Sequence, residues 1–174
     1  QQFPLGPGET AVYQGRYPLA DCLAEKAIST IGANLQRAVE QPDDLEAREA
    51  MALGALLAGL AFSNAGVALV HALEYPLGGL THCTHGAGNG LLLPYVMRYN
   101  LPVRTQALAR VAQLLGEDTK GLDERQAAER AVAAIERLNR AIGIPTRLRE
   151  LGARQEQISE MAKKALAIQR IIRV

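Results

Sequence analysis

Apolar residues recur along most of this chain at helical rather than strand spacing. The first sustained run opens at Pro18, after which Leu19, Leu23, Ala27, Ile31, Leu35 and Val39 follow at four-residue intervals, near one face of a helix. Pro18 suits the first turn, whose N–H groups lack intrahelical partners anyway. Residues 1–17, with Pro4, Gly6, Pro7, Gly8 and Gly15 and no sustained period, read as a loop or linker. Gln41-Pro42-Asp43-Asp44 separates a second helix, which Asp43 or Asp44 can cap and whose positive end Glu46 favours. Between Glu49 and Glu74 there is no Asp, Glu, Lys or Arg. Length alone would let that stretch cross a membrane. Its Ala and Gly content, the interruption at Ser63-Asn64-Ala65-Gly66 and the lack of flanking basic clusters or Trp favour a helix buried on all sides and broken near Gly66. A further helix is expected over Val67–Tyr75, ending at Pro76, followed by a Gly- and His-containing loop to Gly86. The next helix should run from about Ala87 toward Asn100 with a bend at Pro94. Amphipathic stretches follow near 103–115, 122–142 and 155–173, punctuated by Gly116, Gly143 and Gly152. No alternating run suggests a strand. The expected fold is all-α, a multi-helix bundle in one domain over 18–174.

Composition agrees and narrows the function classes. Ala and Leu dominate, aromatics make up 4% and Trp is absent, which suits closely packed helices. A net charge of +1 offers no basic surface for nucleic acid, and no such partner is expected. Cys22 and Cys83 are too few for a disulfide framework, so a cytoplasmic protein is expected. The chain opens at Gln1 without Met and stops at Val174 within an apolar helical pattern, which reads as part of a longer protein.

All three histidines, His71, His82 and His85, fall within fifteen positions. Neutral imidazole is a common ligand for zinc and iron near pH 7. A lone histidine is usually a satisfied core or loop residue. Three clustered beside an uncharged helix point instead to a metal, with His71 on a helix and His85 just after a turn. Such metals usually take three or four protein ligands. Glu74, three residues after His71, or His82 and Cys83 could complete a local site, although the spacing matches no zinc-finger pattern.

The stretch His71-Ala72-Leu73-Glu74-Tyr75-Pro76-Leu77-Gly78-Gly79, with His85-Gly86, Asn89 and Leu91-Leu92-Leu93-Pro94 following, resembles the signature of iron-containing (group III) alcohol dehydrogenases. In that family a second His, in a His-Gly pair, follows the first by fourteen residues, as His85 follows His71. Tyr17 to Ile28 is similar to the first long helix of the family's C-terminal domain. The resemblance extends over roughly residues 16–172. It implies an enzyme with an α/β domain for NAD or NADP and a helical domain holding a divalent metal, Fe2+ or Zn2+. The metal would act as a Lewis acid on the oxygen of a small alcohol, aldehyde or ketone during hydride transfer. The family's four protein ligands are an Asp and a His one helical turn apart and the two histidines matched by His71 and His85. No Asp-x-x-x-His pair occurs in these 174 residues, and no phosphate-binding turn is present. The nucleotide-binding domain is therefore expected to be absent, and the chain alone to be inactive and a weak metal binder.

Departures from the family pattern carry their own expectations. Tyr75 stands where many members have a second His, and four residues from His71 it can line the active site as a candidate catalytic residue. A phenol, titrating near 10, carries protons poorly at pH 7. Thr84 replaces the usual Pro before the ligand His. His82 is open between a site-facing and a surface role, Cys83 is expected to be a small packing residue, and Lys163, Lys164, Arg170 and Arg173 a solvated face. Gly86-Ala87-Gly88-Asn89-Gly90 superficially resembles a phosphate loop, but its glycines are better suited to close helix packing. Residues 1–17 resemble an insertion carried by one branch of the family. Dimers are common in the family, so a homodimer is possible. The alternative is a stand-alone helical metal-binding or interaction module without catalysis.

Overall fold

The computed structural model describes residues 15–168, so most of the expected loop over 1–17 and the last residues of the stretch to 173, including Arg170 and Arg173, lie outside the described residues. Six α-helices follow one another: α1 (Pro18–Glu40), α2 (Leu45–Ala65), α3 (Leu69–Thr81), α4 (His85–Leu114), α5 (Glu124–Ala141) and α6 (Ile158–Ala167). Two short 3-10 turns, Leu148–Leu151 and Gln155–Gln157, precede α6, and no strand occurs among the described residues. The all-α expectation holds.

Helices α1 and α2 form an antiparallel hairpin closed at Gln41-Pro42-Asp43-Asp44. Asp44 is the cap, its Oδ1 accepting the Ala47 N–H at 3.0 Å. The hairpin packs through small residues: Ala47, Gly54 and Ala61, seven apart, are the buried positions of α2. A methyl group on Gly54 would lie 2.6 Å from Ile31 Cγ1, so the two backbones approach closely there. Alanine supplies thirteen of the nineteen buried apolar residues described, which makes this a core of closely approaching helices rather than of bulky side chains.

Two expectations about these helices need correction. Leu19 and Val39 are exposed, and Ala20 and Ala27 are the buried residues of α1. A four-residue step overshoots a 3.6-residue turn by about 40°, so the ends of a strict four-residue series rotate out of any one face. Nor is α2 buried on all sides, because Leu53, Leu56, Leu60 and Phe62 are exposed opposite the small-residue seam. The lack of charge in α2 after Glu49 reflects one tight seam and an otherwise open apolar surface. No single described helix is long and apolar enough to cross a membrane. Helices α2 and α3 are long and apolar enough only as a pair, and that pair is bent by 105°.

Helix α3 also differs, running through Pro76 to Thr81 instead of stopping at the proline. An interior proline costs about 3 kcal/mol through its lost N–H and ring clash. Continuing the helix buries Pro76 and Leu77 and seats Leu80 against a cluster formed with Ala153 and Met161. Full burial of Leu77 returns about 1.5–3 kcal/mol and the partly buried Leu80 adds less, together comparable to the cost of the proline. Helix α4 contains Pro94 and Pro102, and its non-helical dihedrals fall at Arg104 rather than at Pro94. The break therefore falls at the start of the expected 103–115 stretch, while Pro94 is accommodated as a buried residue. Helix α4 packs along α5 around Met97, Ala112, Ala131 and Val132, and its N-terminal end meets α3. That meeting point holds the histidines.

Candidate metal centre

His71 lies in the first turn of α3 and His85 is the first residue of α4, so the crossing of these helices brings the two rings together. Their centroids are 5.2 Å apart. Tyr75, one turn along α3 from His71, stacks on His85 with centroids 6.3 Å apart and planes inclined by 18°, and meets His71 edge-on. The three rings lie close together, with Tyr75 itself exposed.

His82 ends α3 in the left-handed conformation, φ 56°, and is exposed. Its backbone N–H bonds the Gly78 carbonyl, which is a helix-terminating role. Cys83 packs against the Leu77, Ala153 and Met161 cluster, as expected of a small apolar residue. Thr84 precedes α4 in an extended conformation, and its carbonyl accepts the Gly88 N–H. Among the glycines after His85, Gly88 closes against Glu74 and Cys83, and Gly90 against Ile144. Gly86 meets nothing, so the expectation of close packing applies to two of the three.

Sequence reasoning did not foresee the part played by Glu74. The carboxylate is buried, 3% exposed, and its Oε2 lies 2.7 Å from Nδ1 of His85. On the other side of that ring, Asn89 Nδ2 lies 3.1 Å from Nε2 and donates to the His85 carbonyl at 3.0 Å. A visible signal existed: Glu74 is the one acidic or basic residue of α3 other than its histidine, in a stretch otherwise uncharged. Burial, then the neighbouring His85, lower the proton affinity of His71 below its ordinary value of 6.5, with Glu74 opposing them. Near neutral pH His71 is therefore an uncharged imidazole with a lone pair to offer.

The donor chemistry fits part of a divalent metal site. Two imidazoles converge, and one has its second ring nitrogen already engaged by a carboxylate, the arrangement common to metal-bound histidines. No group of three or more His, Cys, Asp or Glu that could hold a metal occurs among the described residues, so these two would be a partial set. Beside them opens an apolar cavity of 580 Å³, lined by Phe62, Val67, His71, Leu93, Met97 and Leu108 among others.

The sequence profile of the Fe-containing alcohol dehydrogenase family, C-terminal, matches residues 9–173. The chain belongs to the iron-containing alcohol dehydrogenase family. The 1,3-propanediol dehydrogenase of Klebsiella pneumoniae is 45% identical over 158 residues, covering 91% of this chain and 41% of that protein. The NAD-dependent methanol dehydrogenase of Bacillus methanolicus is 41% identical over 157 residues, 90% of this chain and 41% of that protein. A crystal structure of a 1,3-propanediol oxidoreductase superposes with a TM-score of 0.88 at 44% identity, over 92% of this chain and 42% of that one. The chain thus spans about two-fifths of the length of these relatives. As in other members of the iron-containing alcohol dehydrogenase family, the region matched is a helical domain.

Proposed function

We propose that this chain supplies two ligands, His71 and His85, to a divalent metal, Fe2+ or Zn2+, in an alcohol dehydrogenase. The complete enzyme would pass hydride between an alcohol and NAD+ or NADP+, or from the reduced cofactor back to an aldehyde or ketone. The observation behind this reading is the convergence of the two imidazoles, 5.2 Å between centroids, beside an apolar cavity. When bound, the metal would supply Lewis-acid polarisation of the substrate oxygen. The contribution of the chain is to hold two uncharged rings on crossing helices, to line the cleft with Tyr75 against the substrate, and to keep water from an apolar pocket. We assign residues 18–174 to the helical metal-binding domain and the nucleotide-binding domain to sequence outside this chain. A cytoplasmic homodimer completes the proposal.

The test uses the protein expressed from its whole gene. Bound metal is counted by mass spectrometry, and NAD+ and NADP+ reduction is assayed with small alcohols such as 1,3-propanediol and methanol. His71→Ala and His85→Ala should each lose metal and turnover together. Full metal occupancy in both variants would sink the reading. A second reading is a stand-alone helical metal-binding or interaction module without catalysis. It requires that the whole-gene product neither bind nor reduce NAD(P)+, and the gathering of fewer than three donors among the described residues makes interaction its better-supported form. The isolated 174 residues should be inactive and bind metal weakly. Micromolar or tighter binding by them would mean that Glu74, His82 or Cys83 completes a site.

A further inference from the structure

A carboxylate buried in an apolar helix junction needs a partner, because desolvation without one is costly. Glu74 has a fitted slot as well as a partner. A methyl group on Gly78 would lie 2.8 Å from its Oε1, and one on Gly88 would lie 2.9 Å from its Cγ and 3.2 Å from its Oε1. Glycines on both α3 and α4 therefore leave open the space that this side chain fills. The slot delivers Oε2 to Nδ1 of His85 at 2.7 Å.

The two ring nitrogens of His85 independently indicate one tautomer. An ionised carboxylate only accepts, so the 2.7 Å contact places the proton on Nδ1. Asn89 is oriented by the His85 carbonyl, which only accepts, so its Nδ2 is a donor and Nε2 at 3.1 Å is the acceptor. The lone pair of His85 is consequently on Nε2, the nitrogen away from Glu74.

We propose that Glu74 is a positioning residue for His85: its carboxylate takes the Nδ1–H hydrogen bond, fixes the tautomer and ring orientation, and so presents Nε2 to the metal. This rests on the reading of His85 as a ligand. Outer carboxylates of this kind raise ligand basicity and hold the ring where the metal needs it. The Asn89 amide donates to Nε2, and its bond to the His85 carbonyl fixes its orientation. A residue that served packing alone would affect stability, but it would leave the ring's proton where it was.

The experiment uses the whole-gene protein, metal-free, with 15N-labelled histidine, as wild type, Glu74→Gln, Glu74→Ala and His85→Ala. Long-range proton–nitrogen correlation reads the tautomer, and His85→Ala assigns the signals. Zn2+ affinity is measured by chelator competition on the same samples. Wild type should show a protonated Nδ1 and a bare Nε2 at His85. Glu74→Gln retains a carbonyl acceptor and should keep that tautomer, with a smaller loss of affinity. Glu74→Ala should give a mixed tautomer and bind Zn2+ about 10–100-fold more weakly. Should it not fold, Glu74→Asp, which withdraws the carboxylate by one methylene, is expected to shift both readouts the same way. A bare Nδ1 in wild type, or wild-type tautomer and affinity in Glu74→Ala, would overturn the assignment. If His85→Ala binds Zn2+ as tightly as wild type, the metal-ligand reading fails as well. If His85→Ala loses Zn2+ while Glu74→Ala does not, Glu74 alone loses its role.

Discussion

Placing a methyl group on Gly88 tests whether Glu74 occupies the slot between α3 and α4. Gly88 is buried in the first turns of α4, where Ala has a helix propensity advantage of up to about 1 kcal/mol. Against that gain stand contacts of 2.9 Å to Glu74 Cγ and 3.2 Å to Oε1, well inside the roughly 3.5–4.0 Å of a relaxed carbon contact. The third neighbour, Cys83 Sγ at 3.5 Å, is an ordinary contact. Relief requires Glu74 to move several tenths of an ångström, which strains its bond to His85. Overpacking of this sort costs about 1–3 kcal/mol, so Gly88→Ala alone should destabilise by about 1–2 kcal/mol. In a Glu74→Ala background the obstructing atoms are gone, and the same substitution should become neutral or stabilise by up to about 1 kcal/mol. The expected coupling is therefore about 2 kcal/mol, within the range measured for touching residues. Urea unfolding of the four metal-free proteins, followed by far-ultraviolet circular dichroism, resolves a difference of that size. Equal effects of Gly88→Ala in the two backgrounds, within about 0.5 kcal/mol, would refute the packing argument.

Other expectations follow from single features. His82→Gly relieves the left-handed backbone at the end of α3, φ 56°, and should stabilise by about 1 kcal/mol, raising Tm by about 2–4 °C; an unchanged or lower Tm contradicts it. Asp123→Ala removes a reciprocal cap in which Asp123 Oδ1 accepts the Gln126 N–H at 2.8 Å and Gln126 Oε1 accepts the Asp123 N–H at 3.1 Å. The loss should be about 1 kcal/mol in urea unfolding, and no loss would mean that solvent caps α5 equally well. Arg98 bonds Glu136 at 2.6 Å across α4 and α5 and, chiefly through that hydrogen bond, holds its carboxyl below the ordinary 4.5. A lowered folded value means stability present above the unfolded pKa and lost as pH falls through the folded one. Arg98→Ala should therefore cost less than about 1 kcal/mol at pH 7, both partners being partly solvated, and progressively less as pH falls below about 4.5. A gap that stays constant with pH would contradict the linkage.

Much of the helical plan is written in local chemistry. Pro18 starts α1, Asp44 caps α2, and Gly66, Gly143 and Gly152 break the chain with positive φ where punctuation was expected. The histidine cluster, too, is legible as a count along the chain, and the family signature gives His71 and His85 their pairing. These signals work because caps, turns and helical periods depend on residues within about four positions of one another. Tertiary packing decides the rest. Pro76 sits inside a helix because the burial of Leu77 and, in part, Leu80 against the cluster with Ala153 and Met161 offsets what the proline costs. The face of α1 that is buried follows from where α2 lies, and a four-residue series of apolar residues could not reveal that. Glu74 and His85 are eleven residues apart on different helices, and their hydrogen bond exists only because α3 packs against the N-terminal end of α4, where Gly88 leaves room for Glu74. The sequence by itself determines which residues can act as ligands and where helices begin. The helix crossing determines which ring nitrogen is free, because that depends on groups brought together only by folding.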